Sequence, residues 1–297
     1  RRLEAMPIAE AVAYGAATIV NAISTGRGAA LGVDLWTKAR VELNRDIGEV
    51  TAMIQDEPGE STNLVTTVVR KVLQRHEASK KFGAHVETRS NIPIARGMKS
   101  SSAAANAVAL AATAALGKKI RDREILEDSV EAAVAAGVTI TGAFDDASAS
   151  YYGGLVVTDN ERRRILKRER IREEYRVLFH VPPEKSYTAN VDLQEFQKLA
   201  RISELAHRMA LNGYHWEALI LNGLAHSILL GWEPNVAIEA MNVGAVASGL
   251  SGKGPATVAV VKRHQASEVR RAMSRFEGQL IEAKLNNSKA RVVAKHT

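Results

Sequence analysis

From Val33 to Leu43 apolar and polar positions alternate without a break. Val33, Leu35, Thr37, Ala39, Val41 and Leu43 fall on one face, and Asp34, Trp36, Lys38, Arg40 and Glu42 on the other. A period of two marks a strand with one buried side. Residues 11–23 are small and apolar almost throughout and read as a buried strand, followed by a polar, glycine-rich turn at residues 24–28. Ala84, Val86 and Thr88 alternate again, which predicts another half-buried strand. Between these segments the period changes. Leu64, Val65, Val68, Val69, Val72 and Leu73 recur at helical spacing and predict a helix over residues 62–76. Residues 103–116 form an unbroken small and apolar helical run closed by Gly117 as a C-cap, and Asp122 caps a helix that runs to Gly137.

In the second half, residues 176–181 read as a strand stopped by Pro182-Pro183. Three helical segments follow from Asp192, punctuated at Asn212-Gly213 and at residues 231–234. A short β-rich run at 256–261, a helix over 265–285 and a final strand at 290–294 complete the chain. There is no internal repeat and no low-complexity linker. The natural seam lies near residues 155–165, which predicts two α+β halves, residues 1–160 and 161–297, sharing a cleft.

Composition narrows the class. A chain of 297 residues that is 46% hydrophobic and 25% charged is expected to be globular. No apolar run is long enough to span a bilayer and no cleavable signal pattern opens the sequence, so a cytoplasmic protein is expected. The absence of cysteine excludes disulfides, thiolate metal sites and cysteine nucleophiles. The net charge of +7 is uneven: residues 161–176 carry eight Lys or Arg against four Glu. Such a run suits a nucleic-acid patch. Ile165, Ile171 and the interleaved glutamates favour instead an exposed strand pair with a salt-bridged face, and a single aromatic, Tyr175, leaves little for stacking bases.

Three segments carry candidate chemistry. Residues 93–105, PIARGMKSSSAAA, place a proline, a glycine and three serines between a strand and an apolar helix. One serine would be explained as a cap. Three at a helix start, after a shaped loop, point to the unpaired amides and positive dipole end that attract phosphate. It is not a Walker A loop, since no glycine stands five residues before a Gly-Lys-Ser/Thr triplet. Next, Thr141-Gly142-Ala143-Phe144-Asp145-Asp146 precedes the pair Gly153-Gly154. Its aspartates suit proton acceptance or metal placement, and equally a helix N-terminus complemented by acids. Finally, residues 248–255, SGLSGKGP, form a glycine-rich loop opening into a strand. There is no H-E-x-x-H zinc pair and no G-x-S-x-G elbow, and His207 and His226 read as helix residues.

In order and spacing the three segments resemble the motifs of the GHMP small-molecule kinase superfamily, across most of the chain. The P-x-x-x-G-L-G-S-S-A-A motif is matched by Pro93, Gly97, Ser100, Ser101, Ala103 and Ala104, with Met98 in the leucine place. The texture at residues 18–23, 97–102, 141–146 and 250–255 resembles the archaeal shikimate kinase branch. The resemblance implies an α+β, two-domain fold with its active site in the cleft between domains. It also implies transfer of the ATP γ-phosphate to the 3-hydroxyl of shikimate, on the route to chorismate and the aromatic amino acids. On this resemblance ATP binds Pro93, Ile94, Ala95, Arg96, Gly97, Met98, Lys99, Ser100, Ser101, Ser102 and Ala103. Ser101 and Glu131 are the candidate Mg²⁺ ligands. The family's spacing, seven residues before a Gly-Gly pair, selects Asp146 over Asp145 as the catalytic aspartate.

The chain also departs from the pattern. Ala16 stands where the first motif carries a lysine, and Lys99 replaces the second motif's second glycine, where it can restore a positive charge near the phosphates. Glu131 sits at a different spacing from the family's metal-binding glutamate. Arg27 and Arg96 are candidates for the carboxylate of the acceptor, and Asn63 for a place near the adenine. Homoserine or pantoate as the acceptor, and a nucleic-acid-binding module, are the alternatives. The expected partner is a small molecule, with no nucleic acid and no membrane.

Overall fold

The computed structural model describes residues 6–172, 174–184 and 193–296. In chain order the elements are β1 (Ile8–Val20), β2 (Arg27–Asn44), β3 (Val50–Ile54), α1 (Asn63–Arg75), β4 (Gly83–Ser90), α2 (Ser100–Ala115), α3 (Asp122–Ala135), α4 (Phe144–Tyr152), β5 (Leu155–Asp159) and β6 (Arg164–Glu169). There follow β7 (Tyr175–Val181), α5 (Leu193–Gln197), α6 (Ala200–Leu211), α7 (His215–Leu230), α8 (Asn235–Asn242), β8 (Ala247–Leu250), β9 (Thr257–Lys262), α9 (Ala266–Met273), β10 (Gln279–Lys284) and β11 (Arg291–His296). The α+β class expected from the sequence is the class observed.

The alternation that opens the sequence becomes β2, the spine of the first sheet. Val33, Leu35, Thr37, Ala39, Val41 and Leu43 are all buried. β2 is antiparallel to β1 along nearly its whole length. Its start, Arg27 to Leu31, pairs with β5, and its end, Thr37 to Asn44, pairs with β4. β3 lies parallel to β4 through the α1 crossover, β6 extends β5, and β11 returns from the end of the chain to pair with β1. The expected division at residue 160 falls in the turn between β5 and β6; both β6 and β11, on its far side, belong to the first sheet. The alanine-rich helix α2 packs on β1 and β2, where small side chains let a helix approach a sheet closely.

The second sheet has the order β10-β7-β9-β8. β7, β8 and β9 are buried on both faces because both are covered, while the edge strand β10 is half exposed. Val177, Phe179, Val258 and Val260 pack with Ala206 and Ala210 of α6 and Leu219 of α7, while Leu178, Ala259 and Val261 pack with Val236 of α8 and with Val269 and Met273 of α9. The first of these cores continues into the first sheet through Ala17, Ile19, Leu31 and Val33. Full burial of a side chain such as Ile19 or Phe179 contributes about 1.5–3 kcal/mol, so the shared core fixes the two sheets against each other. No helix among the described residues is long and apolar enough to cross a membrane.

Several expectations are corrected. The helix expected over residues 265–285 ends at Met273, and residues 279–284 are β10, paired with β7. Gly278, at φ 147°, turns the chain between them, and the apolar content of the segment serves a sheet edge. Residues 193–242 hold four helices where three were expected, since the chain breaks at Lys198-Leu199; Asp192 itself lies outside the described residues. Residues 248–250, read as loop, are in β8, which leaves 251–255 as the loop. Asp122 does not cap α3. Its carboxylate accepts from the Tyr151 hydroxyl at 2.9 Å and from Lys289 at 2.6 Å.

Within the basic run residues 164–169 are strand paired with β5, and Tyr175 and Arg176 begin β7 in the second sheet. Its charges meet neighbours: Arg163 pairs with Glu131 at 3.1 Å, Lys167 with Glu169 at 3.0 Å, and Arg168 lies over the Tyr152 ring.

Candidate active site

A cavity of about 410 Å³ opens where the end of β1, the starts of α2 and α4 and the loop after β8 converge. This is the size range of small-molecule sites. The walls meet through one hydroxyl. Ser251 Oγ accepts from Thr18 N at 3.1 Å and donates to Gly97 O at 2.7 Å, which ties β1, the loop before α2 and the 251–255 loop together. Ala256 N adds a bond to Arg96 O at 3.2 Å. A Cβ on Gly97 would stand 2.5 Å from Ser251 O, and the residue has φ 84°. Gly97 is therefore required for the packing of one loop on another, and no larger residue fits.

The loop before α2 is sharply shaped, as its sequence suggests, but its serines do not cap the helix. Ala95, Gly97 and Lys99 all have positive φ, so alternate residues reverse the chain into α2. The N-cap is Lys99, and no side chain caps the helix. The serines thus do not cap α2. They occupy its first turn and line the cavity, at an end where backbone N–H groups and the helix dipole favour an anion.

Lys99 takes a left-handed conformation, φ 64° and ψ 36°, at a place where the superfamily pattern has glycine. That conformation costs a lysine on the order of 1 kcal/mol or more, and such strain persists where a site uses it. Here its ammonium reaches across the cavity to Asp146 Oδ2 at 3.0 Å, with the two side chains only 12% and 13% exposed. The other oxygen, Asp146 Oδ1, is buried with no hydrogen-bond partner in the protein. A buried carboxylate oxygen in that state is an acceptor held ready for a donor.

Asp145 turns the other way. It is fully buried, its carboxylate accepts from Asn160 Nδ2 at 2.8 Å, and Gly28 leaves it room: a Cβ there would stand 2.3 Å from Asp145 Oδ2. Burial first, and the charge of Asp146 second, push its carboxyl up to about 7, against the opposing pull of Lys99 and Asn160. The two aspartates lie in the first turn of α4, so the helix-start reading and the catalytic reading describe the same residues. Across the cavity, Lys253 is pushed down to about 8 by burial and then by the charge of Lys99.

The cavity thus gathers Ile94, Ala95, Gly97, Lys99, Ser100, Ser101, Ser102 and Asp146. It does not gather every residue the sequence suggested. Met98 and Ala103 are core residues, and Pro93 faces a separate groove. The Arg96 guanidinium points away, donating to the carbonyls of Pro182 and Glu184, and Arg27 lines another surface depression. Glu131 sits on α3 with its carboxylate taken by Lys71 at 3.0 Å and Arg163 at 3.1 Å, and does not line the cavity. Asn63 stays within its own helix, accepting from Thr67 Oγ1.

Residues missed in the sequence include Thr18, Asn21 and Asn160. Asn21 joins the halves over a long distance in sequence: its N donates to Asn222 Oδ1 and its Nδ2 to Gly252 O, both at 3.0 Å. Its place in the segment 18–23, singled out for its texture, was the only signal.

Among the described residues no group of three or more His, Asp or Glu could hold a metal ion by itself. The site therefore fits a Mg²⁺ shared with phosphate oxygens, which needs only one or two protein donors. Ser101, at the start of α2 and lining the cavity, is a donor of the right kind.

Residues 63–154 match the GHMP kinases N terminal domain. The chain is 41% identical over 282 residues to the shikimate kinase of Methanosarcina mazei, covering 94% of this chain and 95% of that protein. It is 42% identical over 266 residues to the shikimate kinase of Pyrococcus abyssi, covering 89% and 94%. Its fold is similar to the crystal structure of homoserine kinase from Cytophaga hutchinsonii, with a TM-score of 0.75 at 18% identity over 96% of this chain and 97% of that one. The chain belongs to the GHMP kinase family, with archaeal shikimate kinases among its relatives.

Proposed function

We propose that the chain is a shikimate kinase of the cytoplasm, transferring the γ-phosphate of ATP to the 3-hydroxyl of shikimate. The observation that carries the site assignment is the Lys99 to Asp146 ion pair, which spans from the open start of α2 to the start of α4 inside one cavity. Relatives about 40% identical over nearly the whole chain support the acceptor. In this reading residues 1–160 supply most of the ATP site, and residues 161–297 close it through the 251–255 loop.

The backbone amides at the start of α2 and the Ser100 to Ser102 hydroxyls hold the triphosphate. Mg²⁺, when bound by Ser101 with phosphate oxygens, neutralises charge on the transferring group. Lys99 then has two tasks. It fixes the Asp146 carboxylate and places a positive charge beside the group in transit, the part that a first-motif lysine cannot play where Ala16 stands. Asp146 accepts a hydrogen bond from the acceptor hydroxyl and orients it in line with phosphorus. The new bond joins that oxygen to the γ-phosphorus as the bond to the ADP oxygen breaks, and the hydroxyl proton passes to Asp146 and on to water. An ordinary carboxylate is a weak base for an alcohol, so positioning supplies more of the rate than proton abstraction.

The test is ADP release from the purified protein with shikimate, homoserine, pantoate and mevalonate in parallel. Acceptor-dependent turnover with shikimate is expected. Turnover with another alcohol and none with shikimate would refute the acceptor while leaving the kinase reading intact.

A further inference from the structure

The helix that carries Asp146 has no cap of its own. Its N-cap residue is Ala143, at φ 46° and ψ 51°, which has no side chain able to accept from the first turn. The missing bond comes from a residue fifteen positions further along the chain. Asn160 Oδ1 accepts from Asp145 N at 3.1 Å, and Asn160 Nδ2 donates to Asp145 Oδ1 at 2.8 Å, so one carboxamide grips both the backbone and the side chain of the second residue of α4.

Asn160 is itself fixed. Its N donates to Gly26 O at 2.8 Å, and its Oδ1 also accepts from Thr158 Oγ1 at 2.7 Å. Thr158 O in turn accepts from His207 Nε2 at 3.1 Å. Each of these side chains is buried and none of Thr158, Asn160 or His207 lines the cavity.

We propose that Asn160 is a positioning residue for the phosphoryl-transfer site: as a long-range cap of α4 it holds Asp145, and through it sets the place at which Asp146 meets Lys99. The proposal rests on the role given to Asp146 above and extends it to a residue that touches neither substrate nor metal. It explains why two adjacent acids stand at this helix start. Asp145 is the handle by which the fold holds the turn, which leaves the side chain of Asp146 to the cavity.

Three variants test it, assayed with whichever acceptor the wild-type protein turns over, so that a wrong acceptor and a wrong role for Asn160 give different results. Asn160→Ala is expected to lower kcat tenfold or more while the KM values for ATP and acceptor stay within about twofold. Thr158→Val, which removes only the hydroxyl that steadies Asn160, is expected to shift kcat in the same direction by a smaller factor, and serves if Asn160→Ala does not fold.

Asn160→Asp gives the signature that a merely structural residue would not. The new carboxyl can replace the amide donor only by holding a proton between itself and Asp145, so its kcat relative to wild type should rise as pH falls. The charged groups facing this pair are Asp146 on α4 and Lys99 before α2, with Arg27 and Asp159 beyond Thr158, and the titratable His207 on α6 is held toward its neutral form by burial. All are common to both proteins, and the ratio removes their titration. An unchanged kcat in Asn160→Ala, a rise in KM in place of a fall in kcat, or a flat Asn160→Asp ratio across pH would each overturn the proposal.

Discussion

Two helix starts face each other across the cavity, and they are built in opposite ways. Both α2 and α4 begin at a residue other than glycine held in the left-handed region, Lys99 and Ala143, and neither has a local side-chain cap. The first turn of α2 then carries three serines and no acid, and that of α4 carries Asp145 and Asp146. A neutral, open helix start is a receptor for anions. One already filled by its own carboxylates presents negative charge and takes a proton donor. In the proposed reading the same backbone device serves the phosphate donor on one wall and the hydroxyl acceptor on the other, and Lys99 joins the two walls at 3.0 Å.

The contrast can be broken from either side. Asp146→Asn removes the enzyme carboxylate that meets the acceptor hydroxyl and is expected to lower kcat roughly a hundredfold or more with the KM for ATP near normal, in steady-state kinetics. Lys99→Met should come next. It leaves Asp146 nearly buried without its partner, so kcat should fall on the order of tenfold to a hundredfold, and denaturant unfolding should show a loss of about 3 kcal/mol.

A smaller effect sharpens the picture of the filled helix start. The folded Asp145 carboxyl keeps its proton up to about pH 7, against 3.8 as its ordinary value, so the folded protein binds more protons than the unfolded chain within that window. Stability should therefore fall as pH rises through it, and Asp145→Asn, which keeps an acceptor for Asn160, should flatten that slope in melts followed across pH. Smallest of all is Glu131→Gln. With its carboxylate spent on Lys71 and Arg163 outside the cavity, the Mg²⁺ dependence of turnover is expected to stay within about twofold of wild type.

How much of this was legible in the sequence depends on the range over which each feature is decided. The alternation of β2 and the helical spacing of α1 are properties of a few consecutive residues, and both elements stand where their patterns put them. The 93–105 loop and the aspartate pair stand out as motifs because their residues lie in short runs, and the structure brings Lys99 of the one against Asp146 of the other. What could not be read was set by distant contacts. Residues 279–284 are a strand because β7 needs a neighbour, although their composition suits a helix equally well. Arg96 looks like a phosphate ligand beside Gly97, yet carbonyls at residues 182 and 184 draw its guanidinium away. Gly97, which the family motif sets against ATP, has the space beside its Cα taken by the main chain of Ser251. Asn160 carries no motif at all, since a cap supplied from fifteen residues away leaves no local pattern.

The central claim is that the two helix starts hold donor and acceptor on opposite walls of one cavity, with Lys99 between them. A crystal structure with a non-hydrolysable ATP analogue, Mg²⁺ and shikimate tests it most directly. The expected result is a triphosphate against the amides of residues 100–102 and the acceptor hydroxyl within hydrogen-bond distance of Asp146. A triphosphate bound elsewhere, or an acceptor hydroxyl remote from Asp146, would contradict the account.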